Sequence, residues 1–334
     1  SLQLFLLADE CTKLQSPRVK VRARSNKNTE VFSGPHVLVA QGFTSIAYAD
    51  FAVSFRHALR GISGPKADRN LLVFLAAYLR SQLARYFLFH TSSNWGVSRQ
   101  KVHVEELLRL PFPPPDTFPD PARQRKIVNA IAEIVDAAAK KSAKPFVDRD
   151  AIVRDASDSI EPLVQDYFDI LPIERTLIED TVEITVPSTH PTRKRKVVPT
   201  IQPATTKQIT AYKDRLTETL NGWAKGGQFV VRGNIAASQN LGVGIAVLEK
   251  SIRANGAQSP QIDSDLVAAL DELRKAVSRK LNAFEFSRGV KVFQGNRLFI
   301  AKPIGRRYWT ETAALNDADE IAGTILMHTS KGEG

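Results

Sequence analysis

Cysteine is almost absent: Cys11 is the single copy in 334 residues. One thiol makes no internal disulfide and no thiolate zinc cluster, so the chain is expected to fold without covalent staples, as suits a reducing cytoplasm. Histidine is scarce too. His36, His57, His90, His103, His190 and His328 are scattered, without the pairing that sets two imidazoles on one helix face, and no metal site is expected. Long apolar runs are also missing. The longest, Leu71 to Leu79, covers nine residues before Arg80 interrupts it, against roughly 20 for a bilayer-crossing helix, so no membrane partner is expected.

Catalytic signatures are missing in the same way. Nothing resembles a nucleophile elbow or an ordered Ser-His-Asp set. Gly242-Val243-Gly244 lacks the third glycine, the helix start and the downstream acid that a phosphate-cradling loop requires. Asp263 with Asp265, or Glu285 with Lys291, fit no strong nuclease spacing, and helix starts and hairpins explain such charges more simply. By its residues the chain reads as a binding module without a complete catalytic centre. It opens on Ser1 and the apolar stretch Leu2 to Leu7, without a basic leader, and its one methionine is Met327. A segment of a longer cytoplasmic protein is therefore expected rather than a secreted one.

Positive charge is what the chain has in excess: 46 lysines and arginines against 35 acids, a formal +11, with a pI near 9.7. Residues 1–121 are the denser end, with 15 cations and 9 acids. No single amphipathic helix gathers the excess, so nucleic acid is the expected partner ahead of a membrane surface. In "RVKVRARSNKN" Lys20, Arg22 and Arg24 alternate with Val19, Val21 and Ala23, a strand with a basic outer face, and Lys27 follows. Together with Arg56, His57 and Arg60 in "SFRHALRGISG", these are candidate phosphate or base-edge contacts, the plain alternative being a solvated strand face. Arg193, Lys194, Arg195 and Lys196 form a run able to add a salt-sensitive, sequence-independent contact or simply to keep a tether in solution. Arg306, Arg307, Tyr308 and Trp309 combine stacking with charge, although aromatics at a strand end are more often the edge of a core.

The periodicities predict an α+β chain. Residues 1–60 read as β-rich, with two short strands in "HVLVAQGFTSIAYADF" around Gly42. One buried helix is expected from Asp68 to His90 on Leu72, Leu75, Leu79, Leu83 and Phe87, then a loop bearing Asn94, Trp95, Arg99 and Lys101, then a helix or turn from Val104 to Leu110. Trp95 there either wedges the loop onto its own domain or sits at a DNA surface. The prolines of "LPFPPPD" hold an extended chain. Asp120 as cap and Pro121 at the first turn begin a helix whose narrow stripe, Ile127, Val128, Ile131, Ile134, Val135 and Ala138, is expected to face a partner helix. Helices continue to about Asp180. Residues 186–206, with four prolines and no acid, read as an exposed basic linker. Beyond it a second α+β unit is expected with a mainly antiparallel sheet: a helix from Ile209 to Trp223, strands at 228–236 and 242–250, a helix near 263–280, a hairpin turning at Gln294-Gly295-Asn296, and a last helix from about Asp317. The expected boundaries are 1–121 for a mixed α/β domain, 122–185 for a helical spacer, 186–206 for the linker and 207–330 for the C-terminal domain.

The stretch "LLVFLAAYLRSQLARYFLFHTSSNWGVSRQKVHVEELLRLPFPPP" followed by "RQRKIVNAIAEI" resembles the C-terminal target-recognition region of bacterial N6-adenine DNA methyltransferases of restriction-modification and phage-defence systems. It is similar, more distantly, to a recognition domain plus spacer helix of type I specificity subunits. The resemblance runs through Tyr86-Phe87, the loop at 92–99, Leu110 to Pro115, and Gln124-Arg125-Lys126-Ile127-Val128. Where that pattern has glutamate before the glutamine, this chain has Arg123; where it has Tyr-Gly-Leu, this chain has Tyr167-Phe168-Asp169. The stretch at 205–329 is similar to a C-terminal extension of some of these enzymes.

The resemblance implies a partner in double-stranded DNA and an upstream catalytic domain that holds S-adenosylmethionine. Neither an Asn/Asp-Pro-Pro-Tyr/Phe tetrapeptide nor a cofactor loop of the acid-x-Phe-x-Gly-x-Gly type occurs in these residues. The function expected is DNA recognition for an adenine-N6 methyltransferase. The competing expectation is a protein-interaction module that docks the methyltransferase to other defence-system proteins; a nuclease centred on the C-terminal unit is a third.

Overall fold

The computed structural model describes residues 3–13, 30–43, 45–56, 58–93, 101–189, 197–239, 242–252 and 289–329. The chain forms two compact units, Ser1–Val182 and Glu183–Gly334. Each combines helices with an antiparallel sheet, so the fold is α+β.

In the first unit β1 (His36–Ala40), β2 (Ile46–Ala49) and β3 (Leu59–Ser63) pair in the order β2-β1-β3. The first two are the strands expected on either side of Gly42. Their side chains are buried on both faces, because Leu4 and Phe5 of the N-terminal apolar stretch run along Tyr48 and α1 (Arg69–Arg80) packs on both strands. α1 also touches the helices α2 (Gln82–Thr91), α4 (Pro121–Ser142) and α5 (Arg149–Tyr167), which is why it is apolar around so much of its circumference.

The single helix expected over 68–90 is two helices bent by 61°. The break is Ser81, whose backbone is extended and whose hydroxyl caps α2 by accepting from Ala84 N–H at 3.2 Å. Glu161 of α5 adds a carboxylate that accepts from Gln82 N–H at 3.1 Å, so a neighbouring helix satisfies the new N-terminus. Asp68, the expected start of the helix, precedes α1 and makes no side-chain cap bond. Among the described residues no single helix is long and apolar enough to cross a membrane, and this bent pair is buried in its own unit's core.

α4 begins as expected, with Asp120 accepting from Arg123 N–H at 3.0 Å and Pro121 in its first turn. Its apolar stripe does not wait for a partner: α1 and α5 cover Ile127, Val128, Ile131 and Val135 within the chain. The helices after residue 121 thus share one core with the strands before it. α3 (Val104–Leu107) and α6 (Pro172–Asp180) complete this unit. The chain then passes through a π-helical turn, Thr181–Thr185, into α7 (Val186–Thr189).

The second unit has the sheet order β4-β5-β7-β6, all antiparallel, from β4 (Phe229–Ser238), β5 (Val243–Ile252), β6 (Val290–Gln294) and β7 (Arg297–Pro303). The β6–β7 hairpin turns on Gly295-Asn296 as expected, with Gly295 at φ +58°. α8 (Thr206–Trp223) and α9 (Glu311–Thr329) pack together, and Tyr212, Leu216, Ala314 and Ala318 join Leu248 and Ile300 in the core. α9 starts two turns before the expected Asp317, where Thr310 accepts from Ala313 N–H.

The described ends of 186–206 are largely exposed at 197–206, as expected of a linker, but are tied down at several points. Val186 and Ala204 are buried, Ala204 N–H bonds the carbonyl of Ile304, and Arg306 N–H bonds that of Gln202. The strand expected at 18–24 and the helix expected at 263–280 lie outside the described residues.

Candidate functional site

Three of the candidate DNA-binding residues, Arg56, Arg60 and Lys101, fall at one end of the first sheet. Gln41, just past β1, donates its N–H to Ala58 and accepts from Val102 N–H at 3.1 Å. Arg60, opposite Val39 in the β1–β3 ladder, donates its guanidinium to the carbonyl of Val102, next to Lys101. Segments 56–60 and 101–102 are thereby held side by side across the end of β1. Arg56 and Lys101 are exposed there and form no ion pair among the described residues. Arg60 is half-buried and tied down, so it props the segment carrying Lys101 as well as adding charge. Lys20, Arg22, Arg24, Lys27, His57, Asn94, Trp95, Arg99 and Arg193, Lys194, Arg195 and Lys196 lie outside the described residues.

Glu106 sits beside this edge. Its carboxylate accepts from Ser93 N–H at 2.8 Å, Ser93 Oγ at 2.9 Å and His103 N–H at 2.7 Å, so it joins Ser93 to His103. Burial works against its charge, but the bonds from His103 and Ser93 outweigh it and hold the carboxyl down at about 2. Sequence reasoning missed this residue. The available signal was an acid three residues after a helix-capping position.

The second unit holds a buried ionic cluster. Asp317 of α9 accepts the Tyr212 hydroxyl at 2.6 Å and the Lys302 ammonium on Oδ2, and Lys291 at 2.9 Å on Oδ1. Lys302 Nζ also donates to the Tyr308 carbonyl at 3.3 Å and lies 4.7 Å from the centre of the Tyr212 ring. Lys291 is further paired with Glu320. Burial would push Asp317 up, but the lysine charges and three donors hold it below the usual carboxylate range. Burial draws the Lys302 ammonium down against the pull of Asp317. It opposes the charge on Lys291 too, where Glu320 and Asp317 prevail and raise it. A cavity of about 800 Å³ opens beside the cluster, lined by Lys291, Lys302, Arg307, Tyr308, Asp317 and Glu320 among others. Of these, sequence reasoning had noted Lys291 in a weak nuclease pairing, and Arg307 and Tyr308 as a stacking pair. Lys302 on β7 and Asp317 on α9 are 15 residues apart, and Tyr212 on α8 precedes Asp317 by 105, so no local spacing marks the cluster.

Two other features take structural roles. Trp309 is 1% exposed, meets Tyr212 edge-on and donates Nε1–H to the Pro303 carbonyl at 2.9 Å, so it belongs to the core rather than to a nucleic-acid platform. In Gly242-Val243-Gly244, Gly242 turns the chain at φ +68° and Gly244 makes room for Trp309, whose ring would lie 2.5 Å from an added Cβ. Among the described residues no group of three or more His, Cys, Asp or Glu is placed to hold a metal ion. No protein-family model matches the sequence, and no curated protein or solved structure is detectably similar to it.

Proposed function

We infer that this chain is the DNA-recognition portion of an S-adenosylmethionine-dependent adenine-N6 DNA methyltransferase of a restriction-modification or phage-defence system. The cofactor and the chemistry would belong to a catalytic domain upstream. The observation that carries the reading is the convergence of Arg56, Arg60 and Lys101 at one sheet end, with Arg60 bonded to the backbone beside Lys101. Cations grouped at a sheet end, with Arg56 and Lys101 in no ion pair among the described residues, suit phosphate contacts that set a protein's register on duplex DNA. The reading rests also on the resemblance of the sequence around them, from the buried helices through the proline-rich exit to the helix opened by Asp120-Pro121.

Fluorescence anisotropy on a labelled duplex, repeated from low to moderate salt, tests this. Wild type is expected to bind with a steep salt response, and Arg56→Ala and Lys101→Ala each to lower the log–log slope by about 1. Tight binding with a flat salt response, or unchanged slopes in both variants, sinks the reading.

One observation favours the docking reading for the second unit. Phe293 and Ile325, each about half exposed, border an apolar groove of about 250 Å³ with Leu220, Leu248 and Ile321. Phe293→Glu would abolish co-purification with a defence-system partner there while leaving DNA affinity intact.

A further inference from the structure

We propose that the cavity beside the ionic cluster of the second unit binds a small-molecule phosphate monoester. Asp317 is largely spent: three donors hold it, Lys291 on one oxygen and Lys302 and Tyr212 on the other, out of about four acceptor positions. Lys302 is spent as well, on Asp317, the Tyr308 carbonyl and the face of Tyr212.

What stays open toward the cavity is mostly donor. Lys291 has three ammonium protons and two acceptors, Asp317 and Glu320. Arg307 places one guanidinium nitrogen 2.7 Å from the Tyr308 hydroxyl, with its carbon 4.7 Å from the centre of that ring. Its other N–H groups, and the proton of the Tyr308 hydroxyl, have no acceptor among the described residues. Glu320, 67% exposed in its side chain, has one oxygen on Lys291 and sits at the rim.

The cavity therefore presents an ammonium, a guanidinium held against an aromatic ring, and a phenol. Its three cations, Lys291, Lys302 and Arg307, outnumber the two acids, both of which are already paired with the lysines, so the charge of Arg307 is the excess. A planar guanidinium with several free N–H groups beside two further donors matches the three terminal oxygens of a phosphate monoester better than the two of a carboxylate. The volume of about 800 Å³ exceeds what a phosphate fills and lies in the range of sites for molecules of nucleotide size, so the ester carries a body.

Calorimetric titration of the full chain with adenosine monophosphate, inorganic phosphate and adenosine tests the proposal. Adenosine monophosphate is expected to bind more tightly than inorganic phosphate, and adenosine not at all. Arg307→Ala, at an exposed position, should weaken binding at least tenfold and Tyr308→Phe several-fold. Arg297→Ala, on the same sheet but paired with Glu249, should change nothing and so controls for the chain's general positive charge. The proposal is overturned if no phosphate binds, if adenosine binds as well as its monophosphate, or if Arg307→Ala leaves affinity within twofold of wild type or no weaker than that of Arg297→Ala.

Discussion

Glu106 shows how much one side chain can organise. It is 7% exposed, and its carboxylate takes three hydrogen bonds from Ser93 and His103. Exchanging it for glutamine keeps the size but puts an amide donor where an acceptor is needed, leaving at least one N–H without a partner. Such a loss costs about 1–3 kcal/mol, so Glu106→Gln is expected to melt several degrees below wild type at neutral pH. The pH dependence has a definite sign. A carboxyl ordinarily near 4.5 is held at about 2 in the folded protein, so its stabilisation is complete above the ordinary value and fades as pH falls from about 4.5 toward 2. Melting curves of wild type and Glu106→Gln should therefore converge through that window. A gap that stays constant from pH 7 to pH 3 would show that the charge of Glu106 is not the source of the effect.

At the scale of elements, the proline-rich segment after α3 is an anchor. Phe112 stacks near Phe74 and Tyr78, Phe118 meets Tyr167 edge-on, and the Tyr167 hydroxyl donates to the Pro113 carbonyl at 2.7 Å. Burial, helped by Asp116, pushes that hydroxyl up to about 12, so it remains a donor across the working range. Tyr167→Phe should cost about 1 kcal/mol in urea denaturation with an unchanged slope; a loss near zero would mean that aromatic packing alone holds the segment. The same region joins α4 to the end of α5: Arg123 pairs with Asp169 at 2.6 Å and also donates to the Asp166 carbonyl. Neither residue alone signals that pairing. Local chemistry was legible in the sequence wherever it decides the structure, as at the Asp120-Pro121 helix start, β1 and β2, and the Gly295 turn. It failed where a distant group decides. β3 has little alternation and pairs because β1 offers an edge, while Gly61 gives way to Val31 and Phe55. Ser81 breaks a helix that periodicity would continue, because Glu161, eighty residues on, satisfies the freed N–H. Lys302 and Asp317 meet only once β7 and α9 are packed.

For the whole molecule, the decisive fact is that most of the buried hydrophobic side chains among the described residues fall into separate clusters. One runs from Leu4 to Tyr167 and another from Ala204 to Ile321, with a small satellite around Ile245 and Val247 on the second sheet. The first is built around α1 by elements from both sides of residue 121, and the second around α8, α9 and their sheet. Cooperativity follows shared burial, so each unit is expected to open as its own unit. Two substitutions make this measurable. Leu88 is fully buried in the first core, and Leu88→Ala should remove about 2 kcal/mol or more from that unit. Gly244→Ala drives a methyl into the buried Trp309 ring and should remove about 1–3 kcal/mol from the second. By hydrogen-exchange mass spectrometry, Leu88→Ala should speed the slowest amides of α1, α4 and α5 by more than tenfold and leave those of β5 and β7 unchanged. Gly244→Ala should do the reverse. If either substitution accelerates the slowest amides of both units together, the two cores melt as one, and the division at Val182 describes the chain's packing without describing its stability.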